Sequence, residues 1–168
     1  MTVPPPEGCI VAYFDGACAP NNPGGHTGCG WIIWHGNLLK GDVADGLKHR
    51  KYLGVGDQFS NNVAEFEALI CVFNTIEFYL NNGNIKEGFK RLHCVGDSQL
   101  VINMMTGAWK PKGGLYTNSF QTAVIRYHQF MNSLGIEVTF EWVRREQNIV
   151  ADVLSKEAIE PYLKGAKV

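Results

Sequence analysis

The stretch CIVAYFD, residues 9–15, decides the fold of this chain. Every position before Asp15 is apolar, which indicates a central strand covered on both faces, and the strand ends in a carboxylate. A second apolar strand, RLHCVGD at residues 91–97, ends in the same way at Asp97. Ligand sites in open α/β sheets lie at such strand ends. We therefore expect a functional site where these two aspartates leave the sheet.

The composition predicts one domain. With 168 residues, of which 45% are hydrophobic and 18% charged, the chain is long and apolar enough to bury a core. No apolar run approaches the roughly 20 residues of a membrane-spanning helix, so we expect no membrane partner. The opening MTVPPPEG has no basic start and no apolar stretch, which favours a short flexible tail at 1–8 over a signal peptide, and a cytoplasmic protein. We assign 9–160 to the domain and 161–168 to a C-terminal tail.

The charge balance and the cysteines exclude several classes of protein. Fifteen Lys and Arg residues against sixteen Asp and Glu residues give a net charge of −1, so any nucleic-acid binding must come from a local patch. The five cysteines are odd in number and show no CxxC spacing, so we expect reduced thiols without a disulfide framework or zinc site. Nothing in the sequence indicates an obligate protein partner, and we expect a monomer.

Turn formers and periodicity predict an α/β fold beyond the first strand. The segment APNNPGG at 19–25 reverses the chain, and 29–35 predicts a strand with 37–44 as its hairpin partner. The glycine-containing segment 52–56 is a weaker third piece of this meander. The remaining predictions are helices at 63–80 (N-capped within 60–62), 98–105, 117–134 and Asn148 to about Ala158, and strands at 91–97 and 136–143. The order β-β-β-α-β-α-α-β-α predicts a five-stranded mixed sheet with helices on both faces.

Four carboxylates have neighbours that predict burial. Asp15 and Asp97 end apolar strands, Glu65 shares a helix face with an apolar stripe, and Asp152 lies among apolar residues of the last helix. Taken singly, each acid fits a helix cap, a turn or an ordinary salt bridge. Taken together, half-buried anions repel one another unless protons or cations neutralise them. The sequence offers few basic neighbours in these four segments.

Bound divalent cations are the economical answer to that repulsion. Oxygen-only ligands select hard ions such as Mg²⁺ or Mn²⁺ over zinc. Two such ions about 3.5 to 4 Å apart suit phosphoryl chemistry, because one activates a water and the other stabilises the leaving oxygen. The four acids therefore predict a two-metal site for phosphate-ester chemistry.

Four blocks of sequence resemble the type 1 ribonuclease H family. They are DGAC with NNPGG (15–25), NNVAE (61–65), GDSQLV (96–101), and WVRREQN with ADVLS (142–155). No single block is specific, but the four occur in the order of the family and span about residues 9–158. The resemblance implies the ribonuclease H-like fold and hydrolysis of the RNA strand of RNA/DNA hybrids, leaving 5′-phosphate and 3′-hydroxyl ends.

The resemblance also implies roles for individual residues. The metal-binding, catalytic acids of the family correspond to Asp15, Glu65, Asp97 and Asp152, which would hold two Mg²⁺ ions with substrate, with Mn²⁺ as a possible substitute. The implied substrate-binding residues are Gly16, Cys18, Asn22, Ser60, Asn61, Asn62, Ser98, Gln99, Lys110, Arg145 and Asn148. Local roles compete with these assignments, because Asn and Ser at such positions also serve as turn and cap residues.

The chain departs from the family pattern in three places. An additional Asn precedes the AsnProGly turn, which leaves open whether Asn21 or Asn22 contacts substrate. The basic, Trp-rich handle of many members is reduced to GAWKPKGG at 107–114, which predicts weak or salt-sensitive binding. The loop before the last acid carries no His, and Arg144 or Arg145 is the candidate substitute. Two alternatives therefore remain: a binding module of this fold with little turnover, and a nuclease of this fold that acts on another duplex.

Overall fold

A computed structural model describes residues 4–165 of the chain. Five strands form one mixed sheet in the order β3-β2-β1-β4-β5, which confirms the predicted sheet. β1 pairs antiparallel with β2 and parallel with β4, β2 pairs antiparallel with β3, and β4 pairs parallel with β5. The strands are β1 (Cys9–Ala19), β2 (Gly24–Trp34), β3 (Leu47–Gly56), β4 (Arg91–Gly96) and β5 (Glu137–Trp142).

Four helices cover the two faces of this sheet. They are α1 (Asn61–Asn81), α2 (Gln99–Met105), α3 (Thr117–His128) and α4 (Ile149–Gly165). A wider helical turn, Gln129–Ser133, continues α3 until Gly135 (φ +66°) ends it, so the predicted helix 117–134 is found with a distorted last turn. Within residues 4–165, no helix combines the length and apolar character that a membrane span requires.

The period-two alternation of β1 divides the core. Ile10, Ala12 and Phe14 face the cluster that contains the buried residues of α1 and α2, whereas Cys9 and Val11 face the other side of the sheet. α4 packs on that other side over β2, where side-chain and backbone atoms of α4 lie so close to Gly28 and Gly30 that neither position has room for a Cβ atom. The central strand is therefore covered from both sides, as its composition predicts.

The predicted hairpin partner at 37–44 is wrong. β2 pairs instead with β3, and residues 35–46 form a loop that turns back toward the core. A hydrogen bond joins the two ends of this loop, because Asp45 Oδ1 accepts from the backbone N–H of His35 at 2.7 Å. Leu38 and Leu39, inside the loop, are buried. The leucines suggested a strand, but they pack as loop residues. β1 and β2 also extend further toward the 20–23 turn than predicted.

The last helix continues beyond its predicted end near Ala158. α4 includes Pro161 and runs to Gly165, so the whole described part of the predicted C-terminal tail, residues 161–165, is helical. Proline at 161 removes one backbone hydrogen bond. The Tyr162 ring stacks on Tyr52 with centroids 3.5 Å apart, and this contact holds the last turn against β3. Residues 1–3 and 166–168 of the predicted tails lie outside the described residues.

Candidate active site

Three carboxylates meet at the carboxyl end of the central strands. Because β1 and β4 are parallel and their pairing stops at Phe14 and Gly96, the residues that follow, Asp15 and Asp97, lie side by side. Asp97 follows the end of β4, whereas Asp15 stays in β1, paired with Gly30 of β2. Glu65, near the start of α1, completes the group, in which one oxygen of each carboxylate lies within 4.8 Å of the others. The predicted grouping of Asp15, Glu65 and Asp97 agrees with this geometry. The prediction that Asp15 ends its strand is wrong, because β1 continues to Ala19 along β2.

A close contact between β1 and α1 sets the position of Glu65. A Cβ atom on Gly16 would lie 2.5 Å from the Glu65 backbone nitrogen, so this approach requires glycine. Ser60 begins the helix as its N-cap, since its Oγ accepts a hydrogen bond of 3.2 Å from the Val63 N–H. The backbone N–H of Gly16 donates to Asp15 Oδ1 at 2.8 Å, which orients that carboxylate.

Burial and mutual repulsion disfavour the charged forms of these acids. Burial, followed by the charges of Asp97 and Glu65, raises the pKa of Asp15 to about 9. Burial also raises the pKa of Glu65 to about 7, although a hydrogen bond from Ser98 opposes the shift. The pKa of Asp97 is raised by burial as well, against the opposing charge of Arg145. Asp15 therefore keeps a proton at neutral pH unless another cation replaces it.

Asp152 stands apart from this group. Its Oδ1 accepts a hydrogen bond of 3.3 Å from Arg145 Nη2, and its Oδ2 accepts one of 3.0 Å from Lys156 Nζ. Burial on its own raises the pKa of Asp152, but the hydrogen bonds and charges of Lys156 and Arg145 outweigh it and hold the pKa below its ordinary value. Asp152 is near enough to the cluster for its charge to raise the pKa of Asp15. The structure thus brings three of the four predicted acids together and leaves the fourth bound to two cations.

The donor set fits a hard divalent cation. All three clustered side chains offer carboxylate oxygens, which suit Mg²⁺ or Mn²⁺, and dications would relieve the repulsion that raises their pKa values. A further polar atom is available nearby, because Asn148 Oδ1 is buried and has no hydrogen-bond partner among residues 4–165. Asp15, Glu65 and Asp97 are therefore the residues that would hold a cation.

Several predicted substrate residues hold the turns that border the site. Asn22 Oδ1 accepts a hydrogen bond of 2.9 Å from the backbone N–H of Asn61, which ties the 20–23 turn to α1. Cys18 is buried and its Sγ donates to the Asn21 carbonyl at 3.1 Å. Ser98 caps α2 by accepting from the Val101 N–H at 3.2 Å. These local roles fix the rim of the site, and both asparagines of the turn take part in them.

The remaining predicted substrate residues divide by exposure. Asn62, Gln99, Lys110 and Arg145 are exposed, as direct contact with a ligand requires. Asn148 is not: it is 1% exposed, and its Nδ2 donates a hydrogen bond of 3.0 Å to the Phe14 carbonyl. A direct substrate contact by Asn148 does not fit this burial. Its side chain instead joins the start of α4 to the middle of β1.

Two residues of the site were missed by the sequence reasoning. The indole Nε1 of Trp142 donates a hydrogen bond of 3.0 Å to the Asp97 carbonyl and so fixes the turn after β4. Lys156 lies four residues after Asp152 on α4, a spacing that places an acid and a base on one helix face. That spacing is visible in the sequence and could have identified Lys156. The tertiary contact of Trp142 left no comparable signal.

Comparison with known proteins places this geometry in a family. The family described as Reverse transcriptase-like matches residues 13–158. "Ribonuclease HI" of Halobacterium salinarum is 31% identical over 158 residues, which cover 91% of this chain and 65% of that protein. "Bifunctional protein Rv2228c" of Mycobacterium tuberculosis is 26% identical, over 94% of this chain and 37% of its own length. The chain therefore spans less than two thirds of the length of either relative.

Solved structures of ribonucleases H1 also match this chain, and the match covers nearly their full length. The crystal structure of RNase H1 from Halobacterium salinarum has a TM-score of 0.66 at 28% identity, covering 91% of this chain and 98% of its own. LC11-RNase H1, solved in complex with an RNA/DNA hybrid, has a TM-score of 0.70 at 26% identity, covering 92% and 99%. With the match over residues 13–158, the chain belongs to the Reverse transcriptase-like family, and it is similar in sequence and fold to the ribonucleases H1 named above.

Proposed function

We propose that the chain is an endonuclease that hydrolyses the RNA strand of RNA/DNA hybrids. The observation that carries the proposal is the group formed by Asp15, Glu65 and Asp97, whose oxygens lie within 4.8 Å of one another at the end of the sheet. Its support from comparison is that LC11-RNase H1, with the same fold, is solved with an RNA/DNA hybrid. We propose that this chain binds an RNA/DNA hybrid as that relative does.

In this proposal, the reaction is an in-line displacement at phosphorus. A water oxygen forms the new P–O bond, the bond to the 3′ oxygen breaks, and the fragments carry 5′-phosphate and 3′-hydroxyl ends. Two divalent cations, Mg²⁺ or Mn²⁺, would supply charge that activates the water and stabilises the leaving oxygen. Asp15, Glu65 and Asp97 would hold and orient that charge, with Asp152 as an additional ligand once Arg145 and Lys156 release it.

The exposed residues at the rim give the proposed substrate contacts. Asn62 and Gln99 lie at the starts of α1 and α2, next to the carboxylates, where they can reach the hybrid. RNA is distinguished from DNA by its 2′-hydroxyls, which can hydrogen-bond across the minor groove. Lys110 and Lys112, both exposed between α2 and α3, would contact phosphates. Such contacts do not read base sequence, so cleavage is expected to be largely independent of sequence.

The test is cleavage of a hybrid labelled on its RNA strand, in Mg²⁺ or Mn²⁺, beside duplex RNA, duplex DNA and single strands. We expect cleavage of the hybrid alone, and at least about a hundredfold loss in Asp15→Asn, since a carboxylate that holds catalytic charge is removed. The matched control is Asp42→Asn, an exposed acid in the 35–46 loop at the opposite end of β1. Near wild-type cleavage by Asp15→Asn would refute the site.

A second candidate is a module of this fold that binds hybrids with little turnover. The observation in its favour is Asp152, whose two oxygens are both hydrogen-bonded to cationic side chains. Retention of the hybrid without cleavage in either metal would select this candidate. Cleavage of duplex RNA in preference to the hybrid would instead select a nuclease with another substrate.

A further inference from the structure

The two cations on Asp152 differ in what they contact. Arg145 lies in a short 3-10 turn, Arg145–Gln147, before α4, and its side chain is 70% exposed. Its guanidinium acts on the whole site, because its charge opposes the raised pKa values of Glu65 and Asp97 as well as lowering that of Asp152. Arg145 is therefore a shared counter-charge on a largely exposed side chain.

Lys156 is restricted to one carboxylate. It lies one helical turn after Asp152 on α4, and its Nζ is 3.0 Å from Asp152 Oδ2. Both residues belong to the same helix, so their backbone positions keep this spacing whatever the neighbouring loop does. Asp152 is further fixed by its backbone, because its N–H donates to the Asn148 carbonyl and its carbonyl accepts from Ser155 Oγ.

Building on the proposed function, we propose that Lys156 is a positioning residue of the metal site. With Arg145 it holds Asp152 out of the group formed by Asp15, Glu65 and Asp97, and a dication can use Asp152 only after displacing the Lys156 ammonium. Lys156 therefore weakens binding of the last dication to enter the site. It acts through Asp152 and need not touch the substrate or the reacting atoms.

Electrostatics set the direction and size of this effect. A fixed positive charge beside a ligand oxygen repels an incoming dication and competes for the same lone pairs. Since Lys156 is half exposed, solvent screens much of its charge, and removal of the ammonium is expected to tighten the last dication by about twofold to tenfold. The conservative Lys156→Arg keeps the charge and should keep the wild-type affinity.

α4 supplies a matched control for this test. Lys164 Nζ lies 2.7 Å from Glu160 Oε1, which is a second lysine–carboxylate pair with the same spacing on the same helix, about two turns further on. Lys164→Gln removes an equivalent charge and ion pair without altering Asp152. Any effect of Lys156→Gln that Lys164→Gln shares belongs to helix stability or net charge and not to the metal site.

The experiment is a Mn²⁺ titration of the full chain at low ionic strength, in which electron paramagnetic resonance reports free Mn²⁺. We expect Lys156→Gln to lower the Mn²⁺ concentration that half-saturates the last ion by about twofold to tenfold, while Lys156→Arg and Lys164→Gln match wild type. The melting temperature should show a crossover, with Lys156→Gln less stable than wild type in EDTA and at least equal to it in saturating Mn²⁺. A purely structural role would lower stability equally in both conditions.

The outcomes separate this proposal from the proposed function. Unchanged half-saturation in Lys156→Gln, or an equal loss of stability with and without Mn²⁺, would overturn the role of Lys156 and leave the nuclease proposal intact. Absence of Mn²⁺ binding in wild type would overturn the metal site itself, and with it both proposals.

Discussion

The side-chain amide of Asn148 donates a hydrogen bond of 3.0 Å to the main-chain carbonyl of Phe14, 134 positions earlier in the chain. Phe14 and Gly96 are the last paired residues of β1 and β4, and this carbonyl lies directly before Asp15. The contact joins the start of α4 to the strand that carries the central carboxylate. It thereby sets the distance between Asp152 and the other three acids.

Removing this amide should cost stability as well as activity. Asn148→Ala leaves a buried carbonyl without its donor, so we expect the free energy of unfolding to fall by about 1 to 3 kcal/mol. Urea denaturation followed by circular dichroism measures the change. Gln147→Ala, an exposed neighbour, is the control and should stay within about 0.5 kcal/mol of wild type. Equal stability of the two variants would show that the Phe14 contact contributes nothing.

The metal-free protein should lose stability as the pH rises. The folded-state pKa of Asp15 is raised to about 9 from its ordinary 3.8, mainly by burial, so the folded protein keeps a proton that the unfolded chain releases. The corresponding stabilisation is complete below the unfolded pKa and disappears as the pH rises through the folded one, from about 4 to 9. Glu65, raised from 4.5 to about 7, adds to the lower part of this range.

Asp15→Asn tests that pH dependence, because the neutral amide mimics the protonated acid. Melting temperatures in EDTA at about pH 5, 7 and 9 should fall more steeply for wild type than for Asp15→Asn, and the variant should be the more stable at the highest pH. Mg²⁺ should restore stability to wild type at that pH, since the cation replaces the proton. Parallel curves for the two proteins would contradict the raised pKa of Asp15.

The close contact at Gly16 should be required for both folding and the site. In Gly16→Ala, the new methyl group meets the α1 backbone at Ala64 and Glu65, so we expect a loss of about 1 to 3 kcal/mol in stability and a large loss of cleavage. Gly28→Ala is the matched control, because its methyl group meets Ala158 and Ile159 on the opposite face. At a temperature where both variants are folded, Gly28→Ala should retain cleavage. Comparable cleavage by both would show that the β1–α1 spacing does not control the site.

Lys110, in the short segment between α2 and α3, should contribute to the salt dependence of hybrid binding. A lysine that neutralises a phosphate releases a bound counterion, so Lys110→Ala is expected to reduce the slope of log affinity against log salt by about one. Titration of labelled hybrid at several salt concentrations, in EDTA to prevent cleavage, gives the slope. Lys86→Ala, at the other end of the sheet near Gly8, should leave it unchanged. An unchanged slope in Lys110→Ala would remove Lys110 from the interface.

The sequence predicted the parts of the fold whose pattern is local. The apolar run before Asp15, a cap within residues 60–62 and a helix that ends before Gly135 are each indicated by adjacent residues. The structure has all three, with Ser60 as the cap. The 35–46 loop was mistaken for a strand because Leu38 and Leu39 are buried through a turn that depends on Asp45. The end of α4 was placed too early, since the contact that holds its last turn joins Tyr162 to the distant Tyr52.

The residues of the site also divide into those that a local sequence pattern predicts and those that depend on distant contacts. Asp97 follows the end of β4, Glu65 lies near the start of α1, and Asp15 lies where β1 stops pairing with β4, so strand direction and helix periodicity were enough to bring them together. The ion pairs of Asp152 depend on Arg145 and Lys156. The buried position of Asn148 depends on its hydrogen bond to the Phe14 carbonyl. Pairings of this kind are set by tertiary packing, although the four-residue spacing of Asp152 and Lys156 was readable.

We propose that Asp15, Glu65 and Asp97 together bind one dication. Anomalous diffraction from crystals grown with Mn²⁺ tests it most directly, because the signal locates the ion independently of catalysis. We predict an anomalous peak in contact with oxygens of all three carboxylates, and its loss in crystals of Asp15→Asn. A peak elsewhere on the molecule, or well-ordered carboxylates without a peak at saturating Mn²⁺, would contradict the account.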